Sequence, residues 1–426
     1  MTAPVPVALS HPRERARMSG MAEAPGKVWF WQLASAVIDA DRCVRCGACV
    51  AACPTDSIGI GRNDLPELVK MCTGCSLCWD FCPRGGLRYE ATWLPSGETA
   101  AAADEVPDER ACATVAPGPE VSGLGRVEQL LAARVRPESP RFAPSAQDGG
   151  VVTAILLACL AAGEIDGAVV AREDPAQPCK GVAHLATTPE EIREAAGSFY
   201  NQTLALSVLD LARAGLDPSA RIAFVGTPCE IEGLRALQAR RWRRGAHGSG
   251  VDSVVLTIAL YCTKSFDYSK LMVRELQDAR GVDLARVGKV DVVHGRLVVT
   301  DRDGEVLVDE PVKAFHGAAL SGCDECSDFL GRAADLSVGS VGSGPGLSTV
   351  IARTGAGTRA LALVAGELEV REPDSPEALE RLDRLDAKVA RGSLHRPFEP
   401  EGPLFVPYDE HLAFYGGTDR APAWMQ

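Results

Sequence analysis

Eight cysteines fall in two runs of the same spacing, Cys43-x2-Cys46-x2-Cys49-x3-Cys53-Pro54 and Cys72-x2-Cys75-x2-Cys78-x3-Cys82-Pro83. Three thiolates at three-residue spacing can wrap one corner of an iron–sulfur cube, and a fourth followed by proline turns away toward a neighbouring cube. The spacing predicts one 4Fe–4S cluster on Cys43, Cys46, Cys49 and Cys82, and a second on Cys72, Cys75, Cys78 and Cys53. Zinc takes paired cysteines rather than repeated triplets closed by Cys-Pro. Disulfide frameworks belong to small secreted chains. A chain with two such cubes moves single electrons.

Four more cysteines sit at element ends or in a pair: Cys229 and Cys262, each after an apolar run, and Cys323-x2-Cys326. Two strand ends and one Cys-x-x-Cys loop can converge above the carboxyl edge of a sheet. Four thiolates there would hold a third 4Fe–4S cluster or a zinc ion, and spacing alone leaves both open, with a redox-active dithiol as a third reading. Cys112, Cys159 and Cys179 have no partner at ligand spacing and read as a linker thiol or small core residues. None of the 7 histidines lies at metal-ligand spacing, and no Ser-His-Asp or nucleophile-elbow pattern occurs.

Glycine-bearing loops form a second constellation. Gln147-Asp148-Gly149-Gly150-Val151-Val152-Thr153 is a polar turn leading into an apolar helix, whose first N–H groups would face an anion. Gly197-Ser198-Phe199-Tyr200, Gly226-Thr227-Pro228 and the stretch 339–346 are similar loops at element ends. Together they suit a large phosphate-bearing cofactor. No Gly-x-Gly-x-x-Gly follows a strand, so the usual dinucleotide fold is not expected.

The elements that must position these residues divide the chain. Residues 1–26 read as a disordered extension, and 27–93 as the double-cluster domain, entered through an amphipathic stretch at 28–38. Short strands at 58–60 and 87–89 each follow a Cys-Pro turn. Residues 94–140, rich in Ala, Pro, Gly and acidic residues, read as a linker with one helix near 125–135. From 141 to 395, strands at 165–171, 221–225, 251–261 and 335–340 alternate with helices at 150–162, 230–240 and 268–280. Thr188-Pro189-Glu190-Glu191 opens a further helix as a capping box, and Asp303-Gly304 predicts a hairpin turn. That alternation implies an α/β sheet. A charged helix at 376–390 precedes a proline-rich tail, 396–426.

With 426 residues the chain is too long for a ferredoxin alone, and its 46% hydrophobic content can fill a sizeable core. A net charge of -13 argues against a nucleic-acid partner. No run of eighteen apolar residues is present, so no membrane span is expected. The first residues lack an apolar stretch after their charges, unlike a secretory signal. So many thiols call for a reducing compartment, the cytoplasm.

The segments QDGGVVTA, IDGAVV, PEEI followed by AGSFY, VGTPCEIEGL, YCTKSF and GCDECSDFLGRAADLSVGSVGS occur in that order. Over residues 140–390 the chain thus resembles the beta-subunit family of coenzyme F-420-reducing hydrogenases and dehydrogenases, in which a fused double-cluster domain is also usual. The resemblance implies an FAD flavoprotein. It implies that Cys229, Cys262, Cys323 and Cys326 hold a 4Fe–4S cluster beside the flavin. The FAD-facing residues it implies are Gln147, Asp148, Gly149, Gly150, Thr153, Gly197, Ser198, Tyr200, Asn201, Gly226 and Thr227. The family often has Ser at Ala146, Lys at Phe199 and Gln at Glu230, all expected at the flavin mouth.

The expected architecture is an α+β ferredoxin-like double-cluster domain followed by an α/β flavoprotein domain. The expected activity couples hydride exchange at FAD, with coenzyme F-420 as the preferred co-substrate, to one-electron transfer through three 4Fe–4S clusters. Ferredoxin or a redox partner subunit is the expected electron partner, and homo-oligomerisation is left open. The alternatives are a ferredoxin-dependent reductase of a dedicated conjugated substrate such as a tetrapyrrole, and a non-catalytic electron-transfer subunit of a hydrogenase or formate dehydrogenase.

Overall fold

The computed structural model describes residues 29–75, 77–85, 120–121, 123–239 and 244–394. Cys112, the strand expected at 87–89, the extension 1–26 and the tail 396–426 lie outside the described residues.

The cysteine domain opens on a helix, Phe30–Leu33, that runs into a π-helical turn, Ala34–Ile38. Phe30, Leu33, Ala36 and Val37 bury their apolar side against Val50, Ile58 and Trp79. The two cysteine runs then repeat one local geometry. Arg45 and Gly74 occupy the same place in their Cys-x-x-Cys turns, and both are left-handed, with φ 53° and 68°. That bend swings each N–H back to the first sulfur of its run, so Arg45 N donates to Cys43 Sγ and Gly74 N to Cys72 Sγ, both at 3.4 Å. The third cysteines, Cys49 and Cys78, sit in short helices, Ala48–Ala52 and Leu77–Asp80. Between the runs, β1 (Ile58–Ile60) pairs antiparallel with β2 (Pro66–Leu68).

The larger body begins with a two-residue ladder, β3 (Glu120–Val121) and β4 (Gly125–Arg126). Its main strands are β5 (Gln129–Val135), β6 (Gly167–Asp174), β7 (Gln177–Ala186), β8 (Ile222–Gly226) and β9 (Val254–Leu260). Next come β10 (Val287–Val293), β11 (Arg296–Asp301) and β12 (Val306–Pro311), then β13 (Leu336–Gly339), β14 (Ser348–Ala352) and β15 (Leu368–Arg371). Eight of these form one mixed sheet in the order β15-β5-β14-β13-β9-β8-β6-β7. Its centre, β13-β9-β8-β6, is parallel, and the flanking pairs are antiparallel.

The central strands read as near-continuous apolar runs because both faces are covered. Successive side chains point to opposite faces. Val169, Ile222 and Phe224 face a core shared with Ile231, Leu234 and Leu237 of the Pro228–Ala239 helix. Ala168, Val170, Ala223 and Ile258 face the Val151–Ala161 helix through Ile155 and Ala158. The Thr188 cap forms as expected: Glu191 N donates to Thr188 Oγ1, and Glu191 takes the N–H of Thr188 in return.

The helix expected near 125–135 is instead β5. Val127, Leu130, Leu131 and Val135 recur at helical spacing among good helix formers. The segment nevertheless lies between β14 and β15 in the sheet, with Ala132 and Ala133 fully buried. Pairing with strands from the far end of the chain overrides local propensity. The α/β body therefore reaches back into the stretch read as a linker.

The Asp303-Gly304 turn joins β11 and β12, and Gly304 has φ 86° as the turn requires. β10 adds a third strand, and the sheet packs on the π-helix Ser269–Asp278 through Leu271, Met272 and Leu276. Among the described residues, no helix is long and apolar enough to cross a membrane.

Backbone-to-backbone contact docks the cysteine domain on the body. Leu204 N donates to Arg45 O at 3.0 Å, and Leu206 N to Cys46 O at 3.2 Å. Gly248 and Gly322 have no room for a side chain, because the carbonyls of Ala51 and Arg42 occupy the place of a Cβ. Arg42 grips Glu325 with two N–H groups at 2.6 and 2.8 Å, and Arg45 pairs with Asp267.

Candidate functional site

The thiols of the two runs lie close together. Cys82 lies within electrostatic reach of Cys43, Cys46 and Cys49, and also of Cys78. Cys53 lies within reach of Cys75 and Cys78, and Cys72 joins the same two. A cavity opens among Cys53, Cys72, Cys75 and Cys78, rimmed by Thr55, Ser57, Ile58 and Thr73. Ser57 N donates to Cys53 Sγ at 3.2 Å, which fixes the turned-away cysteine toward the second run.

The third quartet also converges. Cys229 begins the Pro228–Ala239 helix just past the carboxyl end of β8. Cys262 follows β9, Cys323 lies within a tight 3-10 turn, Ser321–Glu325, and Cys326 caps its end. Cys262 is within electrostatic reach of Cys323 and Cys326, and Cys229 of Cys326. Cys229 is also within reach of Cys46, so the first and third quartets are neighbours across the domain boundary.

The donor chemistry of all three quartets fits an iron–sulfur cube. Burial pushes the thiols up, Cys43 and Cys326 to about 12 and Cys75 to about 11. Such thiols become thiolates when a cationic centre replaces their protons. Among the described residues, no three Cys, His, Asp or Glu stand close enough to share one metal ion. Backbone and side-chain donors already aim at the sulfurs: Gln202 Nε2 at Cys229 (3.3 Å) and Ser265 N at Cys323 (3.5 Å). Hydrogen bonds to sulfur of this kind tune cluster potentials.

Cys159 is a buried core residue of the Val151–Ala161 helix. Cys179 has its Sγ 3.5 Å from the Leu284 carbonyl, away from the three quartets.

The loops expected to face FAD fall into two groups. Gln147, Asp148 and Tyr200 gather against β10. Gln147 Nε2 donates to Val290 O at 3.2 Å, and Tyr200 OH accepts from Val292 N at 3.0 Å while lying 3.3 Å from Asp291 Oδ1. Burial raises the Asp148 carboxyl, with nearby Lys289 opposing the shift. Gly197 passes beside the Ser145 carbonyl, and Ser198 next to it is exposed. Gly150 caps the Val151–Ala161 helix with φ 72°, and no side chain caps that end. Thr153 is buried in its first turn.

Gly226 and Thr227 lie on the cysteine side. Thr227 Oγ1 is 3.3 Å from Cys229 Sγ and accepts from Gln202 Nε2 at 2.8 Å. The chain from Tyr200 through Asn201 to Gln202 thus links the β10 group to the third quartet.

Two of these residues are engaged by the protein itself. Asn201 pairs with both the N–H and the carbonyl of Gly181 at 2.8 Å, continuing the hydrogen bonding of β7. Gly149 needs to be glycine because Ala133 O fills the place of a Cβ. Glu230 is 2% exposed and accepts from Thr227 N and Ala205 N, at 2.8 and 3.2 Å. Burial pushes its carboxyl up to about 7 against these donors. Gln202 and Ser265 went unread in the sequence. A glutamine inside the apolar stretch after Tyr200 was the available signal for the first, and its role depends on a fold-level contact.

Comparison with known proteins adds to this geometry. The profile for the coenzyme F-420 hydrogenase/dehydrogenase beta subunit matches in its N-terminal part at residues 131–210 and its C-terminal part at 219–376. The chain belongs to this family. A 4Fe–4S dicluster domain matches residues 36–88, so the family body carries an iron–sulfur domain at its N-terminal end. An uncharacterized protein of Methanocaldococcus jannaschii is 30% identical over 348 residues, covering 76% of this chain and 87% of its own. The coenzyme F-420-dependent sulfite reductase of the same organism is 29% identical over 407 residues. That match takes in 92% of this chain, yet the chain spans only 55% of the sulfite reductase. Among solved structures, a chain of the F-420-reducing [NiFe] hydrogenase complex from Methanosarcina barkeri aligns with a TM-score of 0.59 at 28% identity. It covers 65% of this chain and 94% of that one. The protein is thus an F-420-related iron–sulfur oxidoreductase or electron-transfer subunit.

Proposed function

We propose that the protein couples hydride exchange between FAD and coenzyme F-420 to one-electron transfer through three 4Fe–4S clusters, with ferredoxin or a partner subunit at the other end. The observation that carries this reading is the continuity of the site. The second quartet adjoins the first, Cys46 of the first lies beside Cys229 of the third, and Gln202 joins the third to the Tyr200 and Gln147 group. A hydride delivers two electrons together and a cluster takes one, so FAD, which handles both, would supply the conversion.

The chain's own groups have separable tasks. The uncapped N–H groups after Gly150 offer donors to a diphosphate. Tyr200 is held against β10 by the Val292 N–H. Gln202 and Ser265 orient Cys229 and Cys323. Glu230 serves the Cys229 loop rather than the co-substrate, so its departure from the family pattern leaves the mouth unchanged. Sulfite reduction is not part of the reading, because nearly half of that relative lies beyond the match.

Three cubes imply about twelve irons per chain. Anaerobic iron and sulfide analysis near eight would remove the third cluster, and one zinc per chain would replace it. For the crossover, Cys53→Ser should lose about four irons. Adding Cys75→Ser to it should lose no more, while adding Cys46→Ser should lose about four further. The opposite pattern would put Cys53 on the Cys46 cube. The function itself is tested by an anaerobic assay with reduced F-420 and a one-electron acceptor dye. Dye reduction is expected, and its absence from protein with full iron and flavin would reject the reading.

A further inference from the structure

A buried cation, Arg84, lies at the boundary between the first and third quartets. Arg84 follows Cys82-Pro83 and is 2% exposed. Its Nε donates to Gly322 O at 2.7 Å, next to Cys323 in sequence, and its Nη1 lies 3.2 Å from Pro83 O, next to Cys82. The guanidinium therefore ties the backbone of one ligand loop to the backbone of the other. Its Nη2 is buried and has no hydrogen-bond partner in the structure. Burial works against its charge, yet the facing groups Cys326, Glu325, Cys229 and Glu232 hold it strongly protonated. Cys43 of the first quartet also feels it.

A guanidinium stays charged in proteins and leaves five donors to satisfy. A buried, unsatisfied charged donor is costly. Neutral carbonyls meet Nε and Nη1, so an anionic acceptor is missing at Nη2. The sulfurs of a cluster on Cys229, Cys262, Cys323 and Cys326 are acceptors of that kind. Positive charge and hydrogen bonds beside a cluster favour its reduced form, which carries one more electron.

We propose that Arg84 is a positioning residue that gives its free Nη2–H group to a sulfur of the third cluster, raises that cluster's reduction potential, and holds the first and third clusters in register. This inference rests on the cluster assignment above. On reduction the third cluster gains one electron, and Arg84 keeps its protons in both states.

The test is an EPR-monitored redox titration of the full-length holoprotein. At the potential where the wild-type third cluster is half reduced, Arg84→Met should lower its reduced-to-oxidised ratio about tenfold, equal to about 59 mV for one electron. Iron content should stay at the wild-type value. Arg84→Lys, which keeps the charge but not the fork, should lie closer to wild type. An unchanged midpoint in Arg84→Met with full iron overturns the proposal. If Arg84→Met loses iron, Arg84→Gln, which keeps a donor for the Gly322 carbonyl, carries the same test: a lowered midpoint supports the proposal and an unchanged one overturns it. Loss of iron from both variants would make Arg84 a structural strut and also overturn it. Wild-type protein with only about eight irons would instead defeat the cluster assignment, so the two failures are distinguishable.

Discussion

Cys323→Ser should leave flavin reduction by F-420 intact and abolish onward transfer to a one-electron acceptor. Cys323 sits in the Ser321–Glu325 turn, its sulfur receiving the Ser265 N–H at 3.5 Å. Its quartet adjoins the cysteine domain, with Cys229 within electrostatic reach of Cys46. The β10 group that includes Gln147 and Tyr200 does not depend on this turn for its own hydrogen bonds. The competing account is a purely structural cluster, whose loss would unfold the body and release flavin as well. Stopped-flow spectra that follow flavin and cluster bleaching separately distinguish the two. Unchanged cluster bleaching in the variant would show that electrons bypass the third quartet.

Gly248→Val should have the next largest effect, and by a different route. A side chain at Gly248 meets the Ala51 carbonyl, on the helix that carries Cys49. Overpacking at such a contact costs about 1–3 kcal/mol. The cost falls on docking, because Gly248 lies on the body and Ala51 on the cysteine domain. The variant should retain its irons and flavin, yield more readily to limited proteolysis between the domains, and pass electrons from flavin to the first two quartets more slowly. Wild-type transfer with intact docking would show that the two carbonyl-filled glycines, Gly248 and Gly322, do not set the spacing. The Gln147–Thr153 turn is a poorer target. Gly149→Val would strike Ala133 O, and so disturb β5 whether or not flavin is bound.

The part of the site set by local spacing was legible in the sequence. The two cysteine runs place their ligands within a few residues of one another, and the left-handed turns at Arg45 and Gly74 follow from the same spacing. The apolar runs of β8 and β9, each ending just before a ligand cysteine, were legible because a strand buried on both faces announces itself. β5 was not, since Leu, Ala, Gln and Arg favour a helix and its two partner strands lie more than two hundred residues onward. β7 was not, because Cys179, Lys180, Gly181 and His184 give no strand pattern, and Asn201 completes its hydrogen bonding from outside. Arg84 was silent for the same reason. Its acceptor is the carbonyl of Gly322, 238 residues away, and no local pattern marks a residue whose work is to bridge two domains.

The central claim is that F-420 and the clusters are connected through the flavin site of this one chain. Anaerobic single-turnover mixing of the oxidised holoprotein with reduced F-420 tests it most directly. The account predicts that flavin absorbance bleaches first and cluster absorbance follows in the same turnover. Flavin that stays oxidised with reduced F-420, yet bleaches with reduced ferredoxin, would contradict it and turn the reading toward a ferredoxin-dependent reductase of another substrate.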